Sequence, residues 1–81
     1  SIYPNPFNNS VEIVYNLDKE GSVNIKVYNS TGQCISELIN RRNEVGINKV
    51  QWKAEEKSSG IYFIRIESGN SIGIKKCILI K

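Results

Sequence analysis

Short segments of alternating apolar and polar residues, separated by turn residues, run along most of this chain. From residue 11 to residue 17 the odd-numbered positions are apolar, and residues 23–27 repeat the alternation with Val23, Ile25 and Val27. Such alternation buries one face of a β-strand and leaves the other face in solvent. Residues 18–21 lie between the two segments and predict a turn closed by glycine. We therefore expect these two strands to form a hairpin.

The most apolar segment follows a turn signal late in the chain. Ser58, Ser59 and Gly60 precede residues 61–67, in which Arg65 is the first charged residue. Gly60 can adopt backbone angles that other residues resist, so a strand can begin sharply there. Because a strand that is apolar on both faces usually lies inside a sheet, we predict that residues 61–67 form the central strand.

The beginning of the chain carries Pro4 and Pro6, two positions apart. In an extended chain both ring nitrogens point to one side, which cannot donate hydrogen bonds, while the amides of Tyr3, Asn5 and Phe7 point to the other. This arrangement is typical of an edge strand that contains proline. We expect Tyr3 and Phe7 to share one face of this strand and to cover the rim of the core.

The middle of the chain gives weaker signals. Residues 29–32 contain Asn and Gly, which tolerate positive φ, so we expect a tight hairpin there. A weak strand is predicted over residues 33–39, followed by an exposed loop over residues 40–46. Residues 47–52 alternate again and predict a strand with Val50 and Trp52 facing inward.

The end of the chain completes the pattern. Residues 53–59 are polar and predict a loop, and residues 72–80 predict a last strand in which Gly73 marks a bulge or a twist. Helical periodicity is absent, and turn signals recur at short intervals along the sequence. The sequence therefore predicts an all-β fold, a small β-sandwich of about seven antiparallel strands.

Size and charge exclude several functions. A chain of 81 residues is one domain with a thin core and little room for a deep pocket. The net charge is +3, and the basic residues are scattered along the chain. Nucleic-acid binding proteins usually carry a clustered basic stripe, so no nucleic acid is expected as a partner.

The sequence also lacks the residues of the common catalytic and metal sites. It has no histidine, which excludes Ser-His-Asp and Cys-His catalysis and the usual zinc sites. Asp18 is the only aspartate, so no calcium loop is present. The adjacent Glu55 and Glu56 diverge on an extended backbone and do not flank a bond as glycosidase carboxylates do. We therefore predict no catalytic residue, metal, cofactor or small-molecule substrate.

Two cysteines, Cys34 and Cys77, leave two alternatives. They could bridge facing strands if their Cβ atoms lay about 4 Å apart, or they could be free thiols acting as small hydrophobic residues, which we favour. No apolar run reaches the roughly 20 residues of a membrane span. No signal peptide opens the chain, so the export signal of a secreted protein is expected upstream of Ser1.

Several short motifs occur in a fixed order along the chain. They are Tyr3-Pro4-Asn5-Pro6-Phe7-Asn8, Ile13-Val14-Tyr15-Asn16-Leu17, Gly21, Val27-Tyr28-Asn29 with Gly32, Trp52, Ser59-Gly60-Ile61-Tyr62-Phe63 and Lys76-Cys77-Ile78-Leu79-Ile80-Lys81. In this order the chain resembles the type A C-terminal sorting domain of the type IX (Por) secretion system, and it shares much of the pattern with the flagellar hook-cap immunoglobulin-like domain. Asn29, Lys53 and Cys77 depart from the usual residues of the family.

The resemblance implies a fold, a function and partners. Residues 1–81 are expected to form one immunoglobulin-like β-sandwich without catalytic activity at the end of a larger secreted protein. The family implies passage through the periplasm, recognition by the outer-membrane type IX translocon and removal by a sortase-like peptidase. The upstream passenger is then expected at the cell surface or outside the cell.

The resemblance also implies which residues the translocon recognises and which residues form the structural signature of the family. Those expected to be recognised by the translocon are Lys75, Lys76, Ile78, Leu79, Ile80 and Lys81. Those expected to form the structural signature are Tyr3, Pro4, Asn5, Pro6, Phe7, Gly32, Trp52, Gly60 and Tyr62.

Two other functions fit the sequence. The aromatic residues Trp52, Tyr62, Tyr28 and Tyr15 could form a platform on which sugar rings stack, as in an accessory carbohydrate-binding module of a secreted hydrolase. A lone Trp in an alternating strand is more often part of the core, however, and we expect this of Trp52. A purely structural immunoglobulin-like spacer is the other alternative.

Overall fold

The computed structural model describes residues 2–81, which form seven antiparallel strands in two sheets. The strands are β1 (Ile2–Tyr3), β2 (Ser10–Leu17), β3 (Gly21–Asn29), β4 (Cys34–Asn43), β5 (Gly46–Lys53), β6 (Gly60–Ser68) and β7 (Ser71–Leu79). One sheet has the order β1-β2-β5 and the other has the order β4-β3-β6-β7. The predicted all-β sandwich is therefore confirmed. Across the described residues, no helix has the length and apolar character that a membrane span requires.

The core lies between the two sheets and contains the residues that the alternation predicts. Each strand from β2 to β7 contributes at least one buried apolar side chain, and the segments before β2 and after β5 add Phe7 and Ala54. The buried residues are Phe7, Val11, Ile13, Leu17, Val23, Ile25, Val27, Ile39, Trp52, Ala54, Tyr62, Ile64, Cys77 and Leu79. No buried side-chain N or O atom among the described residues lacks a hydrogen-bond partner.

The predicted hairpin between β2 and β3 is wrong. β2 pairs with β1 and β5, whereas β3 pairs with β4 and β6, so the two strands lie in different sheets. The turn after Leu17 carries the chain across the core. Each strand has one apolar face, and two such faces can be buried against each other from opposite sheets as well as side by side. Tyr15 adds a polar link between the sheets, since its hydroxyl donates to Asn43 Oδ1 at 2.9 Å.

The predicted loop over residues 40–46 is largely a strand. β4 continues to Asn43, which pairs with Gly21, and only Glu44 and Val45 separate β4 from β5. This part of β4 has an exposed, charged surface, so it lacks the apolar alternation that marks a strand in the sequence. Its backbone hydrogen bonds with β3 do not depend on that alternation. The strand predicted over residues 47–52 and the following loop are confirmed, with Trp52 buried.

The central strand is confirmed. β6 lies between β3 and β7, and Gly60 begins it with φ of +156°, an angle that residues with a Cβ atom rarely adopt. No bulge occurs at Gly73, because β6 and β7 pair in an unbroken register. The irregularities lie between β3 and β4, at Ile25/Lys26 and Val27/Tyr28.

The tight hairpin between β3 and β4 is confirmed, but its asparagine acts differently from the prediction. Within this turn only Gly32 has a positive φ, of +86°. Asn29 contributes its side chain: Oδ1 accepts hydrogen bonds from the backbone amides of Thr31 at 3.2 Å and Gln33 at 2.9 Å. Asn29 thus closes the turn through its side chain, while its own φ is not positive.

The opening segment is not the extended edge strand that was predicted. Only Ile2 and Tyr3 pair with β2, and Tyr3 is 73% exposed while Phe7 is 3% exposed, so the two rings do not share a face. After Tyr3 the chain leaves the three-stranded sheet, and Phe7 forms a parallel bridge with Leu79 of the four-stranded sheet. The prediction assumed one continuous strand, whereas the segment changes sheets. Ser1 lies outside the described residues.

Candidate recognition site

The two ends of the chain meet along the outer edge of β7, which is the last strand of the four-stranded sheet. Asn5 makes the first contact through its side-chain amide. Its Nδ2 donates to the backbone oxygen of Lys76 at 3.1 Å, and its Oδ1 accepts from the backbone amide of Ile78 at 3.0 Å. The Asn5 side chain therefore takes the place that a peptide group of a neighbouring strand would occupy.

Phe7 continues this contact through its backbone. Its amide donates to the oxygen of Ile78 at 2.9 Å, and its oxygen accepts from the amide of Ile80 at 2.8 Å. Asn5 and Phe7 together occupy four successive hydrogen-bonding groups on the outer edge of β7 and the residue after it. We call residues 4–8 and 75–81 the joined termini. The sequence pattern does not predict this contact, because alternation shows which residues face the core and not which strands are neighbours.

Three aromatic residues of the predicted signature meet in the core beneath the joined termini. The ring of Phe7 lies 5.7 Å from that of Trp52, and Trp52 lies 5.2 Å from Tyr62 in an edge-to-face arrangement. The Tyr62 hydroxyl donates to the backbone oxygen of Ser58 at 2.6 Å. Such pairs add to the apolar burial of each ring. Trp52 and Tyr62 are both buried, so they cannot form the exposed platform that a carbohydrate-binding module needs.

The predicted recognition residues at the end of the chain differ in exposure. Leu79 is buried in the core at 1% exposure, and Ile78 is half-buried. The remaining predicted residues are exposed, namely Lys75, Lys76, Ile80 and Lys81. In the folded domain, the side chain of Leu79 is therefore structural, and a partner can contact only its exposed neighbours.

The last residue is held in place by the loop that precedes β6. The Lys81 amide donates to Ser59 Oγ at 2.9 Å, and its ammonium group donates to the backbone oxygen of Glu55. Gly60 pairs with Leu79 directly beside these contacts. The loop thus fixes the position of the chain end relative to the sandwich.

The other signature residues lie at the same end of the sandwich. Pro4 and Pro6 are exposed and line a shallow depression with Phe7, Asn8 and Ile80. Gly32 lies in the turn after Asn29, which pairs with Tyr62. The structure therefore gathers at one end of the sandwich residues that are widely separated in the sequence.

Three lysines give the joined termini a positive charge. The ion pairs among the described residues join Lys26 to Glu37, Arg42 to Glu20 and Arg65 to Glu67. Within residues 2–81, no carboxylate is paired with Lys75, Lys76 or Lys81. Exposed ammonium groups without a counter-ion favour an anionic partner.

Among the described residues, two titratable groups have a pKa that burial raises, namely Cys77 and Tyr15. Cys34 and Cys77 are both free, the first exposed and the second buried. Burial raises the pKa of the Cys77 thiol to about 11, so it is protonated and unreactive at neutral pH. Burial also raises the pKa of Tyr15, partly offset by the positive charge of Arg41. Among the described residues, no group of three His, Cys, Asp or Glu side chains could hold a metal ion.

One of three comparisons with known proteins gives a match for this chain. No curated protein and no solved structure matches the chain. A family model described as "Secretion system C-terminal sorting domain" matches residues 1–81. Domains of this kind are generally non-catalytic, and their signal implies export to the cell surface or secretion. Because the match spans the whole chain and the immunoglobulin-like relation is consistent with the sandwich, the chain belongs to the family of type IX secretion C-terminal sorting domains.

Proposed function

We propose that residues 1–81 form one sorting domain at the end of a larger secreted protein, and that the outer-membrane type IX translocon recognises the joined termini. The observation that carries this proposal is the contact of Asn5 and Phe7 with β7, which holds the tail beside the opening segment. The translocon then binds a preformed surface, and the domain itself catalyses no reaction.

The exposed side chains at the joined termini provide the recognition. Lys75, Lys76 and Lys81 attract anionic groups of the translocon, while the exposed Ile80 offers an apolar contact. Cys77 and Leu79 anchor the same segment in the core and keep these side chains at fixed positions. A surface that is already ordered loses less conformational entropy on binding than a flexible tail does.

The fold also suits the steps before and after recognition. Its buried core lies within residues 2–81, so the domain can fold in the periplasm independently of its passenger. We propose that a sortase-like peptidase then cuts on the N-terminal side of the sandwich, because peptidases act on exposed segments more readily than on paired strands. The passenger is released or remains at the cell surface.

The test is a reporter fusion in a bacterium that has the type IX machinery. The chain is fused behind a reporter with a periplasmic signal peptide, and Lys75, Lys76 and Lys81 are all replaced by Glu. These side chains lie outside the core, so the variant should keep the fold. We expect the intact fusion at the cell surface or in the medium and the variant in the periplasm.

A matched control replaces the exposed Lys19, Arg41 and Lys49 by Glu, which changes the net charge by the same amount elsewhere on the surface. We expect this control to be exported normally. Export of the Lys75, Lys76 and Lys81 variant at the level of the intact fusion would refute recognition through these residues. A reporter that reaches the same location without the domain would favour the structural spacer.

A further inference from the structure

The outer edge of β7 is covered only along its second half. β7 is an edge strand, and the opening segment lies beside Lys76, Ile78 and Ile80. Residues 71–75 precede this contact. Within residues 2–81, no hydrogen bond joins the backbone of residues 71–75 to a group on the outer side of β7.

The alternation of an antiparallel strand shows which peptide groups are open. Ile78 directs its N–H and C=O toward the opening segment, so the odd-numbered residues of β7 bond to β6. The register between β6 and β7 is unbroken. The N–H and C=O groups of Ile72 and Ile74, and the N–H group of Lys76, therefore point outward. They form a row of hydrogen-bonding groups to which another strand can add.

The side chains along this half of β7 differ between its two faces. Ile72 and Ile74 are 56% and 60% exposed on one face, and Gly73 and Lys75 are exposed on the other. An added strand would place alternate side chains beside each set. Aliphatic side chains fit beside the isoleucines, and an acidic side chain fits beside Lys75, which has no carboxylate partner among the described residues.

The opposite edge of the same sheet differs from β7. β4 meets β3 with two register irregularities. Irregular pairing is a usual protection of an edge against added strands. β7 has no irregularity, and its lysines oppose pairing with a second copy of a chain whose net charge is +3. The same lysines favour an acidic strand.

We propose that residues 71–76 are a docking edge for an extended peptide segment whose side chains alternate between aliphatic and acidic. The segment adds to β7 as a fifth strand of the four-stranded sheet and ends where Asn5 begins to cover the edge. The docking edge shares Lys75 and Lys76 with the proposed translocon surface but does not depend on it. Peptide binding is measured on the purified chain and export in cells, so the two proposals can fail separately.

The test uses the 81-residue chain labelled with ¹⁵N and a blocked heptapeptide of alternating Val and Glu. We expect peptide binding to shift the amide signals of Ile72 and Ile74 and to slow their hydrogen exchange by at least about tenfold. The amides of Gly73 and Lys75 already bond to β6 and should be protected in both states. Binding that leaves the signals of Ile72 and Ile74 unchanged would overturn the proposal.

Two control peptides test the chemistry of the partner. A heptapeptide of alternating Val and Lys should bind at least about tenfold more weakly, because it places like charges beside Lys75. A Val-Glu peptide with methylated backbone nitrogens should not bind, because it cannot complete the strand pairing. Equal binding of either control would overturn the proposal. A dimer paired through β7 in the absence of peptide, detected by sedimentation, would instead identify a second copy as the occupant.

Two variants test the edge itself. Ile74→Pro removes an outward N–H that β6 does not use, so the fold should survive while peptide binding is lost. Lys75→Glu keeps every backbone group and should weaken binding roughly fivefold or more. Lys49→Glu makes the same charge change at an exposed position of β5 and should leave binding unchanged. Unaltered binding to folded Lys75→Glu would refute the acidic partner, whatever the behaviour of Ile74→Pro.

Discussion

The two halves of β7 belong to one strand but lie in different surroundings. The second half buries Cys77 and Leu79, and the opening segment holds its outer edge. Residues 71–76 are exposed on both faces, although they include Ile72 and Ile74. Apolar side chains in a strand therefore do not by themselves indicate burial. In this strand the second half packs in the core, and the first half is exposed to solvent.

Substitutions in the two halves of β7 should differ most in their effect on the free energy of unfolding. Leu79→Ala removes a buried side chain and should lower the free energy of unfolding by about 2–5 kcal/mol. Ile74→Ala on the exposed half should change it by no more than about 0.5 kcal/mol. Urea unfolding of both variants gives the comparison. Similar losses in the two variants would contradict the division of β7.

The next effect appears at alkaline pH. Burial raises the pKa of Cys77 from the ordinary 9.0 to about 11, so the unfolded chain ionises first. The contribution of the protonated Cys77 thiol to the free energy of unfolding is therefore complete below pH 9 and is lost as the pH rises toward 11. Between pH 7.5 and 10.5 the intact chain should lose about 2 kcal/mol more of its unfolding free energy than Cys77→Val does.

This comparison with Cys77→Val removes the contributions of the lysines and tyrosines, which both chains share. Denaturant unfolding at several pH values provides the measurement. Parallel pH dependence in the two chains would show that the Cys77 thiol is not desolvated. As a further check on burial, an alkylating reagent at neutral pH should modify the exposed Cys34 and leave Cys77 unmodified until the chain unfolds.

A smaller effect is expected at the contact between the termini. Asn5→Ala removes both side-chain hydrogen bonds to β7 and should lower the unfolding free energy by about 1–2 kcal/mol. Asn8 is exposed in the same segment, and no hydrogen bond joins its side chain to the described residues, so Asn8→Ala serves as the matched control. Equal effects of the two substitutions would indicate that Asn5 does not hold the tail.

Much of the fold could be predicted from the sequence, because burial of one face of a strand requires apolar and polar residues to alternate along it. The alternation at Val11 and Ile13, the inward position of Trp52 and the central strand that begins at Gly60 all followed from local patterns. The pairing of β2 with β5 could not be predicted in this way. A strand with one buried face shows the same alternation whether the neighbouring strand lies beside it in the sheet or across the core.

The candidate site was predictable only in part. The short motifs identified the residues of the joined termini, and the structure shows which of them lie at the surface. The role of Asn5 could not be predicted, because a side-chain amide that replaces a peptide group has no periodic signal. Residues 40–43 at the end of β4 were predicted as a loop for a related reason. Their exposed polar and charged side chains resemble those of a loop.

Amide hydrogen exchange along β7 tests the division of this strand most directly. In the free 81-residue chain, the amides of Ile78 and Ile80 should exchange slowly, because they donate to Asn5 and Phe7. The amides of Ile72 and Ile74 point into solvent and should exchange at least about tenfold faster. Equal protection of the two pairs, or faster exchange at Ile78 than at Ile72, would show that the opening segment does not hold the second half of β7.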